Sequence, residues 1–112
     1  MNYFQKSEFA CPCCGKDDID PAFVLRLNEA RGYARVPFII TSGVRCEKHN
    51  KEVGSTSRNH IEGKAADIAC TEGWQRLRIV RGLLQAGFKR IGIGKTFIHA
   101  DTMDLPAAIW VY

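Results

Sequence analysis

The sequence predicts an α+β domain in which a small, mainly antiparallel sheet is flanked by helices. Three observations point to it. Segments with helical apolar spacing and short β-rich apolar runs are mixed along the chain, without the strand–helix–strand rhythm of a parallel sheet. The 112 residues suit one domain, 1–112, with one hydrophobic core. A hydrophobic share of 46% beside 25% charged residues is that of a folded globular chain and speaks against disorder.

The elements follow in order. Residues 1 to 20 mix Cys, Pro, Gly and Asp and read as loop. Asp20-Pro21 is a helix start, with Asp as N-cap and Pro in the first turn. Phe23, Leu27, Ala30 and Ala34 then mark one face at helical spacing. Val36 to Thr41 is apolar and β-rich, which predicts a buried strand. Ser42-Gly43 turns the chain, Glu47 to Val53 predicts a short helix ending at Gly54, and Ser55 to Gly63 reads as loop. Lys64 to Cys70 predicts a strand. A helix from Trp74 to Ala86 is expected to bury Leu77, Val80 and Leu84 with Ile79 and Leu83, and Gly87 suits its C-terminal end. Two strands, Arg90–Gly94 and Thr96–Asp101, follow around a turn at Gly94-Lys95. Leu105 to Tyr112 can supply one more.

Charge narrows the function classes only mildly. The formal net charge is +4 with an isoelectric point near 8.9. That favours an anionic partner weakly, and a solvated surface explains it as well. No run approaches the roughly 18 apolar residues of a membrane span, so no membrane partner is expected. The N-terminus lacks a basic stretch followed by an apolar run, so synthesis in a cytoplasm without a secretory signal is the expectation.

Three residues carry chemistry: His60 and Asp67, at the two ends of HIEGKAAD, and His99 in FIHAD. Two imidazoles and one carboxylate form a common catalytic zinc shell that leaves a fourth position for water. Seven residues on a straight strand separate two side chains by roughly 23 Å, and on a helix by about 10 Å. Neither lets both touch one ion, so the chain must bend between them, and Gly63 sits where a bend is possible. Asp67 stands in an apolar run, where a buried carboxylate needs a partner charge that a metal would supply. His99 and Asp101 share one face by strand period. Taken singly, each residue also fits a plainer role: a hydrogen-bonded core histidine, or an aspartate at a turn or cap.

The motifs around the trio favour the metal reading. Thr41-Ser42-Gly43-Val44-Arg45, His49-Asn50, Val53-Gly54 and then His60-Ile61-Glu62-Gly63-Lys64-Ala65-Ala66-Asp67-Ile68 resemble the zinc D-alanyl-D-alanine carboxypeptidase family, whose pattern runs SGYR, then HxxGxAxD, then a late His. Gly92-Ile93-Gly94 with Phe97-Ile98-His99-Ala100-Asp101 looks like the late motif of the branch that holds murein peptidases and phage lysis enzymes. The hedgehog signalling domain shares that fold. The resemblance spans about Phe4 to Trp110. It implies a hedgehog/DD-peptidase-like fold and a Zn2+ ion on His60, Asp67 and His99. It also implies that Arg45 holds a substrate carboxylate or carbonyl, a structural salt bridge being the alternative.

The implied activity is hydrolysis of an amide bond in peptidoglycan peptides, as a carboxypeptidase or endopeptidase, by a monomer acting on the cell wall after release, in a phage host or otherwise. A nucleic-acid partner is not expected, since the His/Asp set does not serve one. The alternative of another class is a catalytically weak zinc-containing binding module or phage structural module of the same fold.

Two departures from the family pattern matter. The Ser usually two residues before the first His is replaced by Arg58, with Ser57 one residue further back. The positions where several branches carry the proton-accepting residue are Thr96 and Phe97. Asp101, from its same-face position beside His99, is the candidate catalytic base, the rival reading being that it orients His99 or pairs with Arg45. Glu62 is a weaker candidate.

Cys11-Pro12-Cys13-Cys14-Gly15 contains a C-x-x-C, half of a zinc knuckle. Cys46 or Cys70 with His49 could complete four ligands only through tertiary folding. Reduced packing thiols are the default for an odd count of five, and a disulfide formed after release is a further possibility.

Overall fold

The computed structural model describes residues 2–112. Helix α1 spans Pro21–Ala34, and the Ala22 backbone N–H donates to Asp20 Oδ1 at 3.1 Å, so the aspartate caps the helix as its position predicts. The face Phe23, Leu27, Ala30 and Ala34 is buried. Helix α2 spans Glu47–Glu52 and helix α3 Gly73–Gln85. Strands β1 (Ile40–Ser42), β2 (Ala65–Ala69), β3 (Arg90–Ile93), β4 (Phe97–Asp101) and β5 (Ala108–Val111) form one sheet in the order β1-β2-β4-β3-β5. The first three pairings are antiparallel and β3–β5 is parallel, so the sheet is mixed within an α+β fold.

Strand period divides the sheet into two faces. One face carries Ala66, Ile68, Ile91, Ile98 and Ala100, all buried in the core with residues of α1 and α3. Gly82 of α3 lets the two helices approach closely: a Cβ there would lie 2.6 Å from the Ala30 carbonyl oxygen and 2.8 Å from Ala34 Cβ. The other face carries the polar residues. Across it one register row runs Ser42–Asp67–His99–Gly92–Trp110, one residue from each strand.

Three expectations need correction. The strand predicted from Val36 begins only at Ile40; Val36 and Phe38 are buried in irregular backbone, where Phe38 packs beside the Phe4 ring, and Ile39 points to solvent. An apolar run signals burial without dictating extended pairing. In α3, Leu77 and Leu84 are exposed, and the core face is Ile79, Gly82 and Leu83. Two apolar stripes compete on this helix, and contact with α1 at Gly82 selects the one that carries the small residue. Finally, the N-terminal stretch is not all loop. A 3-10 turn over Lys6–Phe9 is closed by the Gln5 N–H donating to Glu8 Oε2 at 2.6 Å, and it buries Phe9.

Candidate metal centre

His60 lies in the turn before β2. The reversal it requires is made at Gly63, which takes φ +69°, and a side chain there would also strike the Asp18 carbonyl at 2.7 Å. The Arg45 and Gly63 backbone N–H groups both donate to the His60 carbonyl, at 3.2 Å each. Asp67 on β2 and His99 on β4 are direct cross-strand partners. Turn and register thus bring together a histidine and a carboxylate seven residues apart, with a second histidine from the adjacent strand.

The three donor atoms converge. His60 Nε2 stands 3.4 Å and His99 Nδ1 3.0 Å from Asp67 Oδ1. The edge of a tetrahedron of zinc ligands at about 2.0–2.1 Å is about 3.3 Å, so these spacings suit a single ion. All three residues can each offer one ligand atom within 4.8 Å of the others. The far nitrogen of each ring is occupied. His60 Nδ1–H donates to the Gly43 carbonyl at 2.7 Å, and His99 Nε2–H donates to Asp101 Oδ2 at 2.7 Å. With those protons fixed, the lone pairs of His60 Nε2 and His99 Nδ1 and an oxygen of Asp67 all point at one volume. Three acceptors facing each other require a cation between them, either protons or a metal.

Electrostatics agree with that geometry. Burial pushes the Asp67 carboxyl up, but hydrogen bonding and charge from His60 and His99 outweigh it and hold it well below the usual carboxylate range. Burial pulls His99 down, yet Asp101 and Asp67 outweigh it and raise the imidazole above its ordinary value. Asp101 is lowered despite burial, through His99 and Arg90.

Each sequence-predicted residue has a definite place. Arg45 spreads its guanidinium over Ser42 Oγ (3.1 Å), Asn50 Oδ1 (3.3 Å) and Asp67 Oδ2 (3.4 Å). It therefore steadies the outer oxygen of the carboxylate that faces the two histidines, and with three of its five N–H donors used it keeps two more. Asp101 stands behind His99, away from the three converging atoms. It is 1% exposed, and its oxygens accept from Arg90 Nε (2.7 Å), Asn59 Nδ2 (3.1 Å) and the Met103 N–H (3.1 Å) as well as from His99. Its cationic partner is Arg90, not Arg45. Glu62 pairs with Arg58 on the exposed side of the turn.

The centre opens into a cleft of about 570 Å³ lined by Arg45, Ser55, Ser57, Asn59, Arg90, Trp110 and Tyr112 beside the three donors. Ser57 thus reaches the cleft despite the Arg58 departure. Among the described residues lining it, Asp67 is the one carboxylate. Asn59, Arg90, Trp110 and Tyr112 escape sequence reasoning. Their signal was tertiary: Arg90 faces Asp101 and Gly92 faces Trp110 in the register. Gly92 is small for this reason, since a Cβ would meet Trp110 Nε1 and Tyr112 Cε2 at 2.7 Å each. The Trp110 ring lies 5.6 Å from that of His99, and Arg90 stacks over it at 5.0 Å.

The model of the peptidase M15 family matches residues 2–101, nearly the whole chain. The chain belongs to the peptidase M15 family. No curated protein matches it significantly. M15 peptidases are zinc-dependent metallopeptidases, and the donor set of this M15 domain fits zinc on chemical grounds. Two imidazoles and one carboxylate, each fixed from behind, face an open cleft that leaves room for further ligands.

Proposed function

We propose that this M15 domain hydrolyses an amide bond in peptidoglycan peptides, with zinc held by His60 Nε2, Asp67 Oδ1 and His99 Nδ1. The observation that carries the reading is the convergence of these three donors at the floor of a cleft that also presents Arg45. When bound, zinc supplies the Lewis acid that polarises the scissile carbonyl and activates water. The remaining work falls to the chain. Gly43 and Asp101 fix the two imidazoles. Arg45 holds Asp67 and offers its remaining N–H donors to a peptide carbonyl or terminal carboxylate, for which its planar fork is suited. Tyr112 is largely exposed, but partial desolvation and the nearby charges of Asp67 and Asp101 raise its hydroxyl, so it keeps its proton and is a hydrogen-bond donor in the cleft. Asp101 is a positioning residue in this scheme: its four hydrogen bonds and its place behind His99 fit orientation of the ring and not uptake of a proton from water.

The competing reading, a zinc-containing binding module, has one observation in its favour: no carboxylate other than Asp67 lines the cleft among the described residues. Incubation with purified peptidoglycan separates the two. Release of new amino groups, abolished by a chelator and restored by zinc, supports hydrolysis, and mass spectrometry of the released muropeptides identifies the bond as a carboxypeptidase or endopeptidase target. Stoichiometric zinc with an unchanged peptidoglycan digest would make the domain a binding module.

A further inference from the structure

Four of the five cysteines gather outside the lining of the cleft. The Gly15 N–H donates to the Cys11 carbonyl at 2.7 Å, the Cys11 N–H donates to the Lys16 carbonyl at 2.7 Å, and Gly15 takes φ +76°. These bonds curl residues 12 to 14 around the Cys11 sulfur. The Cys46 backbone N–H donates to that sulfur at 3.4 Å. The Cys46 sulfur in turn accepts from the His49 N–H at 3.4 Å. The sulfurs of Cys11, Cys14 and Cys46 all lie within 4.8 Å of one another, and the exposed Cys13 thiol is an electrostatic neighbour of Cys46 outside that close trio. Four thiolates around zinc at about 2.3 Å stand about 3.8 Å apart.

The fifth cysteine shows what a packing thiol looks like here. Cys70 is buried in the core, its thiol donates to a carbonyl oxygen at 3.7 Å, and burial raises its pKa. Cys13 and Cys14 are exposed, so their side chains add nothing to a core. Cys11 is buried but lies outside the main core cluster, and its sulfur accepts from the Cys46 backbone N–H instead.

We propose that Cys11, Cys14 and Cys46, with Cys13 as the fourth donor, form a structural zinc site separate from the His60–Asp67–His99 centre. Binding removes the proton from each thiol, so four protons leave and the site carries a net −2 charge, which Lys48 partly offsets. The ion would clip the segment before α1 to the start of α2. That joint matters for the cleft. Cys46 follows Arg45, the Val44 N–H donates to the Phe9 carbonyl at 2.8 Å, and Gly43, the residue before Val44, holds the His60 ring. The proposal is independent of which reaction the domain catalyses.

The test is metal analysis of the full chain, purified with its thiols reduced, loaded with zinc and dialysed. The expected result is two zinc ions per chain in the wild type and one in a His60→Ala/His99→Ala variant, with that one lost on adding Cys14→Ser, a change at an exposed position. Replacement by cobalt(II) gives a readout that holds even if the double variant fails to fold: intense near-ultraviolet sulfur-to-cobalt absorption in the wild type, lost in Cys14→Ser alone. A single zinc in the wild type without sulfur-to-cobalt absorption would overturn the site. So would a Cys11–Cys46, Cys14–Cys46 or Cys13–Cys46 disulfide that re-forms on mild oxidation in the presence of saturating zinc.

Discussion

The two donor clusters of this domain rest on different kinds of scaffold. Asp67 and His99 stand on neighbouring strands in fixed register, and His60 is locked by a backbone carbonyl, so each donor has a second partner that holds it. Cys11, Cys13 and Cys14 stand on a turn, and Cys46 caps a helix of six residues. Their sulfurs are met by backbone N–H groups and by one another, with no hydrogen bond from another residue type's side chain among the described residues. A cluster built on a sheet keeps its geometry when empty, because the strands are held by the core. A cluster built on turns depends more on what occupies it. The first arrangement suits chemistry, which needs pre-set atoms; the second suits a clip.

The sharpest way to break the contrast is at Asp67. Asp67→Ala removes a donor and the partner of Arg45, and is expected to abolish zinc at this centre. Loss of a Lewis acid that supplies several kcal/mol of transition-state stabilisation lowers turnover about 10³-fold or more, measured as amino-group release from peptidoglycan with zinc quantified in the same samples.

Asp101→Asn probes the buttress. Weakening a partner of a ligating histidine is expected to cost about 10–100-fold in zinc affinity or activity, with turnover largely recovered at saturating zinc. Turnover that stays at background when zinc occupancy is complete would return Asp101 to the role of base.

Gly92→Ala leaves all donors intact and disturbs only what lies over them. Its Cβ would press on Trp110 and Tyr112, and overpacking of this kind costs about 1–3 kcal/mol. Displacement of β5 should raise KM more than it lowers kcat, and tryptophan fluorescence should shift.

The smallest effect is expected at the other cluster. Cys14→Ser should leave the register of the sheet intact and lower thermal stability, each 1 kcal/mol lost shifting Tm by roughly 4–8 °C in a domain near this size. Calorimetry with and without zinc checks it; an unchanged Tm in both conditions would argue that the turn needs no clip.

Local rules made much of the molecule legible. Asp20-Pro21 announced α1, Gly63 announced the reversal behind His60, and period two put His99 and Asp101 on one face. These signals lie within a few residues of what they determine. What stayed hidden depends on contacts between distant segments. The partner of Asp101 is Arg90 because β3 and β4 place them opposite each other, which no spacing in the sequence reveals. Leu77 and Leu84 looked like core because an amphipathic helix with two apolar stripes does not say which one its neighbour will cover. Cys46 meets the Cys11 turn across 35 positions, and the sequence left Cys46 and Cys70 as equal candidates; only the fold separates them.

The row Ser42–Asp67–His99–Gly92–Trp110 has a consequence for how the domain can be made and altered. Since side chains alternate, a slip of one residue in β2 or β4 would send Asp67 or His99 into the hydrocarbon side of the sheet and bring an alanine or isoleucine to the cleft. No partly correct pairing yields a partly correct centre. With the centre binding zinc as proposed, metal uptake there would double as a proofreading signal for folding: a preparation that takes up the ion would have its strands threaded in the right frame, and a library of loop insertions could be screened for intact strand pairing by that signal.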